Sequence, residues 1–482
     1  MKKFFIVAVL FFIISNNSFA QEVQVVQEEI NLAEQSQPVP TVVDKSVEKA
    51  AEKVVEKMTI PQDSSLQAQV IADIPTLKKI TLPQAIDYAL KNNLNIRSTR
   101  MDIEKGKNDI KTAGRFQNPY VNLFMNGGKA AMDNPDNVGL IQPFEIGKRG
   151  PRKRLAKSNL ELTKGNVALA EFYLRLDVRQ AYVDLVAAKS ILKILEGQKQ
   201  LLERLVYVAQ KKYEVGAAPE MDVIQTKMTL NLLVTQVNTA RTQVDVARYN
   251  FNKVLDSMDF DTAEDYLPDQ KDFIFLLTPK PQDRLPDFEK VANIAAAKRI
   301  DLKNAQQDID VARKNLVVVA RQRIPDIEIG GGMIAVPSSL ATSRQNTNGY
   351  YIISNITNIP LFYQYTPEIK NAKIQVDQKE LKYNSLRHAA LLDLNSTYEE
   401  FLTAQTNINY YNDALLTEAN QFLGMAKRSY EVGKTSINDL IFIQQSYKSI
   451  MMGYTNSLAT YYGSWVDFLR EVNDEEIKLD EK

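Results

Sequence analysis

The residues best suited to chemistry are few in this chain and poorly spaced for it. His388 is the only histidine and there is no cysteine, so the usual nitrogen and sulfur ligands of zinc are missing and His388 fits a surface or packing role. Gly330-Gly331-Gly332 follows a strand pattern but is not followed by the Gly-Lys-Ser/Thr that holds phosphate. Asp308 and Asp310 lie two apart on a helical pattern, so they face different directions, which suits solvation. We therefore predict a protein that is not an enzyme and that uses no cofactor or metal.

A basic cluster lies where a predicted strand gives way to a helix, and it consists of Lys148, Arg149, Arg152, Lys153 and Arg154. The 59 basic and 59 acidic residues of the chain cancel, so no overall field favours nucleic acid. We therefore interpret the cluster as a membrane boundary that contacts anionic headgroups or neighbouring helices, and we predict no nucleic-acid partner.

The segment Tyr-Glu-Val-Gly occurs twice, at 213–216 and at 430–433. Six residues after each glycine comes an aspartate, Asp222 in the first copy and Asp439 in the second. An earlier block, Ala89, Asp102, Ile103, Arg115 and Pro119, recurs 206 residues later as Ala295, Asp308, Ile309, Arg321 and Pro325. The blocks around Tyr182 and Tyr398 also correspond, but at an offset one residue shorter than that of the Tyr-Glu-Val-Gly copies. The chain is thus predicted to be two tandem copies of one unit.

The repeats are flanked by segments of different composition. Residues 1–20 have two lysines, an apolar run and a Ser-Phe-Ala end, which is typical of a signal peptide. Residues 21–79, rich in Gln, Glu, Val and Pro, are predicted to be a flexible N-terminal extension. Repeat 1 is assigned to 80–278, repeat 2 to 279–471, and 472–482 to an acidic tail. No segment after the signal peptide approaches the roughly 18 consecutive apolar residues of a membrane helix.

Each repeat is predicted to contain two long helices, at about 152–215 and 219–257 in repeat 1 and at about 366–432 and 436–470 in repeat 2, with a further helix at 82–116. Apolar residues recur at spacings of three, four or seven along the first long helix, which is typical of a coiled-coil seam. The seam is Leu174, Val178, Ala181, Leu185, Ala188, Leu192, Leu195, Leu202, Leu205 and Ala209; its counterpart is Leu391, Leu394, Tyr398, Phe401, Ile408, Leu415, Ala419, Phe422 and Ala426. Since 219–257 carries two apolar stripes, it needs neighbours on two sides, as in a ring of packed helices.

Four strands of about membrane-spanning length are predicted, at about 120–128, 137–146, 326–336 and 349–362. Their alternation separates a lumen-side set (Asn122, Asn126, Asp326 and Glu328) from a lipid-side set (Val121, Leu123, Met125, Ile327, Ile329 and Met333). Four strands cannot close a barrel, and an open edge in lipid leaves backbone groups unpaired. The chain is therefore predicted to oligomerise so that several copies complete one barrel, with two copies giving eight strands and three giving twelve.

These features together resemble the TolC-like outer membrane efflux proteins, the exit ducts of tripartite pumps. The resemblance covers about 80–471 and rests on the opening Thr81-Leu82-Pro83-Gln84-Ala85-Ile86, both hairpins, Ile359-Pro360-Leu361-Phe362 and both Tyr-Glu-Val-Gly turns. Gln142 to Arg149, followed by Arg152 and Arg154, is similar to the heavy-metal (cobalt-zinc-cadmium) branch. The resemblance implies a mainly α fold with transmembrane β-strands: a homotrimer in outer membrane lipid whose helices form a periplasmic α-barrel tunnel and whose twelve strands form one β-barrel.

The same resemblance implies two sites at the periplasmic tip. The Tyr-Glu-Val-Gly turns correspond to the place where a periplasmic adaptor (membrane fusion) protein docks, and an inner-membrane pump of the RND or ABC type supplies the energy. The implied docking residues are Val215, Gly216, Ala217, Val432, Gly433 and Lys434. The implied gate residues are Asp222, Tyr430, Lys434, Thr435, Asp439 and Phe442.

Two gate positions depart from the family pattern. Thr435 stands where relatives often carry an arginine that ties the gate shut, and Phe442 stands where some carry a second aspartate. We expect either a weaker lock or a lock in which Lys434 replaces the arginine, with a partly apolar constriction. Asp439 is expected to face the tunnel mouth and to favour cations.

One alternative from another class stays open at the level of sequence. A periplasmic coiled-coil adaptor or scaffold without a pore would also be rich in long helices. Such a protein is expected to have one helical hairpin between β-rich halves, whereas this chain has two hairpin pairs with alternating strands of membrane length.

Overall fold

The computed structural model describes residues 77–124, 136–257, 265–269, 280–281, 283–336, 347–411, 413–475 and 477. The predicted signal peptide, the extension up to residue 76, Met125 and Asn126, and most of the acidic tail lie outside the described residues. The elements, in chain order, are β1 Leu77–Ile80, α1 Leu82–Asn92, α2 Leu94–Ala113, β2 Tyr120–Phe124, β3 Asp136–Phe144, α3 Arg149–Glu214, α4 Glu220–Leu255, β4 Asp265–Pro268, α5 Phe288–Lys298, α6 Ile300–Ala320, β5 Asp326–Val336, β6 Thr347–Thr357, α7 Thr366–Tyr410, α8 Asp413–Glu431 and α9 Ile437–Val472.

The longest helix, α3, has 66 residues and therefore extends about 100 Å at 1.5 Å per residue. Its predicted seam is buried or half-buried along its whole length, from Leu174 to Ala209. The second seam is less complete, because Leu391 and Phe422 are exposed in this single chain. No described helix combines the length and the hydropathy that crossing a membrane requires.

The helix predicted over 82–116 is divided at Asn93, and repeat 2 is divided at the equivalent place, Arg299. Both residues have an extended backbone, with ψ of 118° and 116°. In α2 the Asn93 side chain accepts from the Ile96 N–H (3.1 Å). In both repeats, the first N–H of the helix that follows the break donates to the side chain of the residue that ends the last long helix. Leu94 N donates to Asp256 Oδ2 (2.8 Å), and Ile300 N donates to Asn473 Oδ1 (3.0 Å). Both capping residues have a left-handed backbone, with φ of 56° and 59°, so the duplication is preserved in backbone geometry although the residue types differ.

The helix predicted over 366–432 is also divided, with α7 ending at Tyr410 and α8 beginning at Asp413. The interval from Tyr398 to Tyr430 is one residue longer than the interval from Tyr182 to Tyr213. One extra residue in a continuous helix turns everything after it by about 100° and would move the seam off its partner. The interruption lies inside this longer interval and absorbs the extra residue.

Two buried clusters hold the helices together. The larger one contains an aromatic group in which Phe401 lies 5.1 Å from Tyr461 and 5.3 Å from Trp465, measured between ring centroids. The smaller one, called the tip core below, lies towards the Tyr-Glu-Val-Gly turns. It joins the first helical pair, α3 and α4, to the second, α8 and α9. Its members are Leu195, Leu202, Leu205, Leu233, Val237, Ala240, Ala426, Tyr430, Ile437, Leu440 and Ile441. The two tip turns are therefore parts of one packed unit.

The strands form two sheets. β1 pairs in parallel with β4, so residues 77–79, predicted to belong to the extension, lie in the folded body. The other four strands form an antiparallel sheet in the order β2-β3-β5-β6, which leaves β2 and β6 as edges within one chain. The register places the described lipid-side residues on one face and Asn122, Asp326 and Glu328 on the other. The apolar face is exposed, as at Val138 and Ile352.

Candidate functional site: the helical tip

Both Tyr-Glu-Val-Gly segments end a helix in the same way. Gly216 and Gly433 have φ of +72° and +77°, a region that other residues enter at a cost. The glycine N–H donates to the tyrosine carbonyl, at 2.9 Å for Gly216 and 3.1 Å for Gly433. The next N–H, that of Ala217 or Lys434, donates five residues back, at 2.7 and 2.9 Å. These are the two bonds of a Schellman motif, and a Cβ on either glycine would meet no atom within 4 Å. The glycines are therefore explained by backbone angle and not by crowding.

The two tyrosines of the repeat are not equivalent. Tyr213 is 42% exposed, whereas Tyr430 is 3% exposed and belongs to the tip core. Lys212 of the first turn reaches across to the second: its ammonium donates to the Tyr430 carbonyl and lies 4.1 Å from the centroid of the Tyr430 ring. One side chain thus joins the two helical pairs at the tip.

Asp222 and Tyr430, predicted to be gate residues, interact through charge. Burial, and then the negative charge of Asp222, raise the pKa of the Tyr430 hydroxyl. That hydroxyl is buried and has no hydrogen-bond partner among the described residues. Thr435 bonds within its own turn, donating to Ser429 Oγ at 2.7 Å, and so does not cross between helical pairs.

Asp439 lies in the first turn of α9 and takes part in its N-terminal cap. The Ser436 hydroxyl donates to the Asp439 carboxylate (2.7 Å) and accepts from the Asp439 N–H (3.1 Å). This reciprocal pair resembles a capping box and is favourable because an anion near a helix N-terminus is stabilised by the helix dipole. Asp439 is nevertheless exposed, so its carboxylate can act on ions outside the chain while it caps the helix.

The remaining predicted tip residues lie on the surface. Val215, Val432 and Phe442 are exposed large apolar side chains, and Ala217 is exposed as well. Lys434 is exposed and makes no side-chain hydrogen bond or ion pair to the described part of the chain. The expectation that Lys434 replaces the family arginine therefore has no contact in its favour within one chain; Lys212 makes such a contact instead.

Lys212 was missed because it precedes the repeated motif. The residue before the tyrosine is Lys212 in the first copy and Ser429 in the second. Their carbonyls have the same role, since each accepts the longer bond of its Schellman motif. Lysine at one of these matching positions and serine at the other was the sequence signal that the two turns differ in their contacts.

The residues first considered for chemistry, Asp308, Asp310 and His388, are not brought together in the described structure. Asp308 accepts from Lys379, whereas Asp310 accepts from Ser158 (2.7 Å) and Lys314, so the two carboxylates point to different helices. His388 is exposed on α7. Among the described residues no group of three or more potential ligands could hold a metal ion.

Three members of the basic cluster, Lys148, Arg149 and Arg152, contact their own chain near the base of the sheet. Lys148 pairs with Asp326 at 2.8 Å, and Arg152 holds both oxygens of Glu145 at 2.9 and 2.8 Å. The guanidinium of Arg152 lowers the pKa of Glu145. Arg149 donates to a backbone carbonyl and lies 4.0 Å from the centroid of the Phe116 ring. These residues fix the junction between strand and helix.

Comparison with known proteins gives consistent results. The model of the family described as "Outer membrane efflux protein" matches residues 85–255 and 291–456, more than half of the chain and one match per repeat. The chain is 21% identical over 392 residues to the probable efflux pump outer membrane protein TtgC of Pseudomonas putida, covering 73% of this chain and 74% of TtgC. It is 21% identical over 393 residues to the outer membrane efflux protein BepC of Brucella suis, covering 76% and 80%.

The fold is similar to solved structures of outer membrane channels. Against CusC, for which conformational changes in folding and transmembrane channel formation are described, the TM-score is 0.66 at 15% identity, covering 83% of this chain and 93% of CusC. This likeness confirms the predicted fold class, in which long helices form a tunnel and the strands contribute to a β-barrel.

Proposed function

The chain belongs to the outer membrane efflux protein family, and we propose that it works as a passive homotrimeric duct whose periplasmic tip is gated. Its function as the outer membrane exit duct of a tripartite efflux system follows from its family and relatives. Its location is the outer membrane, with a large periplasmic helical part. The matched proteins are ducts, which implies a non-enzymatic role.

The open sheet is the observation that best supports assembly of several chains. β2 and β6 are edges, and the apolar face of the sheet is exposed. In lipid each unpaired backbone group costs several kcal/mol, so edges must pair between chains. Three copies supply twelve strands, as the family resemblance implies.

The gate is proposed to consist of Asp222, Tyr430, Lys434, Thr435, Asp439 and Phe442, with Lys212 added as the side chain that holds the two helical pairs together. Three copies of Asp439 near one axis would attract cations, and three exposed Phe442 rings would narrow the mouth with an apolar surface. Burial of Tyr430 and its contact with Lys212 support a closed resting arrangement.

The two turns are proposed as the docking surface for a periplasmic adaptor protein. Val215 and Val432 occupy the same position of the two motifs and both are exposed, so a trimer presents six similar apolar tips. Gly216, Ala217, Gly433 and Lys434 complete the surface. The energy would come from an inner-membrane pump of the RND or ABC type. Membership of the heavy-metal branch stays a prediction from residues 142–154.

Membrane fractionation with chemical crosslinking tests this proposal. We expect the protein in the outer membrane fraction, released only by detergent and crosslinked as a trimer. Release by osmotic shock as a soluble protein would contradict a duct and would favour a periplasmic scaffold.

A further inference from the structure

A tyrosine lies across a strip of glycines on the polar face of the four-stranded sheet. Tyr351 of β6 pairs in register with Gly332 of β5, which pairs with Gly139 of β3. A Cβ on Gly139 would lie 2.1 Å from the Tyr351 hydroxyl. A Cβ on Gly332 would first meet the backbone of β3, at 2.1 Å from the Val138 carbonyl oxygen, and would then lie 2.8 Å from the Tyr351 ring. Because strands are about 4.8 Å apart, the ring reaches from β6 over β5 to β3. We infer that the missing side chains at Gly139 and Gly332 let the Tyr351 ring lie flat against the inner wall of the barrel, and that this flat position of the ring sets the width of the exit channel.

The flat position depends on missing side chains. Real Cβ atoms do not approach within 3.0 Å of another heavy atom, so any residue other than glycine at 139 displaces the ring. The Tyr351 hydroxyl is buried and has no hydrogen-bond partner among the described residues. Since no hydrogen bond orients it, the ring keeps its position through van der Waals contact with the glycine backbone.

The face that carries the ring is the one that faces the lumen under the proposed function. Alternation along the paired strands puts Tyr351 on the side of Asn122, Asp326 and Glu328, opposite the exposed apolar residues such as Ile352. This step depends on the proposed trimeric duct. Three flat rings leave the lumen wide, whereas three raised rings would project into it.

The chain has no cysteine, so one introduced thiol can report on the width of the lumen. Asn355 lies four residues after Tyr351 on the same face, nearer the helices, and pairs in register with Glu328. Asn355→Cys, in intact cells, is treated with N-ethylmaleimide and with maleimides that carry polyethylene-glycol chains of increasing length. The measured quantity is the longest reagent that still labels the thiol.

We expect Gly139→Ala to move this cut-off to shorter reagents while labelling by N-ethylmaleimide is kept, because the displaced ring obstructs the lumen. Adding Tyr351→Ala to Gly139→Ala should restore the cut-off. Gly349→Ala is the matched control, since it lies on β6 two residues from Tyr351 and, of the residues that the structure describes, its Cβ would meet only Ile334, at 4.0 Å. Crosslinking of each variant verifies the trimer.

The outcomes separate the two proposals. An unchanged cut-off in a trimeric Gly139→Ala variant, or a reduced cut-off that Tyr351→Ala does not restore, would overturn the role of Tyr351 and leave the duct standing. A thiol at 355 that no reagent labels would show that this face lines no aqueous channel, which overturns the proposed duct and the inference with it.

Discussion

Lys212 offers the sharpest test of how the tip is held closed. The perturbation is Lys212→Met, which keeps an unbranched side chain but removes the ammonium that lies over the Tyr430 ring. It deletes the hydrogen bond to the Tyr430 carbonyl and the cation–π contact at 4.1 Å. Both contacts join the first helical pair to the second, so their loss should favour separation of the pairs.

The size of the effect follows from the two contacts. A hydrogen bond from a charged group contributes about 1.5–3 kcal/mol, and a cation–π contact at an exposed site about 0.5–1 kcal/mol. Lys212 is half-buried, so solvent screening reduces the sum to about 1–2 kcal/mol per chain. A change of that size shifts the equilibrium between the closed and open arrangements of one chain's tip roughly 5- to 30-fold.

Planar-bilayer recording measures this equilibrium. We expect Lys212→Met channels to spend a larger fraction of time in high-conductance states than the wild type. Lys211→Met is the matched control, because the contacts of Lys211 within the described residues are with its own helix: it pairs with Glu214 at 2.7 Å and lies 6.0 Å from the centroid of the Tyr207 ring. Lys434→Met tests the competing expectation that Lys434 is the lock.

Either of two results would show that Lys212 does not hold the tip closed. One is a folded, trimeric Lys212→Met channel with wild-type open probability. The other is a Lys434→Met channel whose open probability rises as much as the rise expected for Lys212→Met. That result would assign the lock to a contact of Lys434 between chains.

Two further predictions concern charged residues near the tip, Asp439 and Lys427. Asp439→Asn keeps an acceptor for Ser436 but removes the carboxylate, so the cation preference in bilayers should fall. Ser436→Ala is the control: it costs about 1 kcal/mol of cap stability and should leave the ion preference unchanged. Equal effects of the two substitutions on ion preference would show that Asp439 does not line the ion path. Burial, and then the positive charge of Arg204, lower the pKa of Lys427, so its charge opposes folding below that pKa. Lys427→Met should therefore raise the Tm near neutral pH. This gain in Tm should shrink as the pH rises through the lowered pKa, because the wild-type lysine then loses its proton. A gain in Tm that does not depend on pH would show that the buried charge of Lys427 is not its cause.

The sequence predicted the features that follow from periodicity and from single-residue geometry. The seam of α3, the alternation of the four strands and the glycines of the two turns all reflect local rules, and each is found in the described residues. The break at Asn93 has one local signal, because the Asn93 side chain accepts from the Ile96 N–H as a helix N-cap. The second bond at the break, from the Leu94 N–H to Asp256, could not be predicted in this way, because Asp256 lies far along the chain. Lys212 and the contact of Tyr351 with Gly139 were missed for the same reason: both depend on which elements lie side by side.

The break in repeat 2 between α7 and α8 is an intermediate case. The one-residue difference in spacing was visible in the sequence, but several positions between Tyr398 and Tyr430 could have accommodated it. The described structure ends α7 at Tyr410, where Tyr411 packs against Gly453 of α9: a Cβ on Gly453 would lie 2.4 Å from the Tyr411 hydroxyl. Packing against the partner helix thus accounts for the position of the break.

The two helix caps at Asp256 and Asn473 have a consequence for how the chain is assembled. Each cap joins residues 162 or 173 positions apart, and each joins the end of one repeat to a point near its own beginning. In each half of the protein, the hydrogen bond at the helix cap therefore connects the two ends of that half and acts as its clasp. A polypeptide expressed as two fragments, divided between the halves, would retain both clasps within single fragments, whereas a division inside either half would place the two sides of a clasp on different molecules.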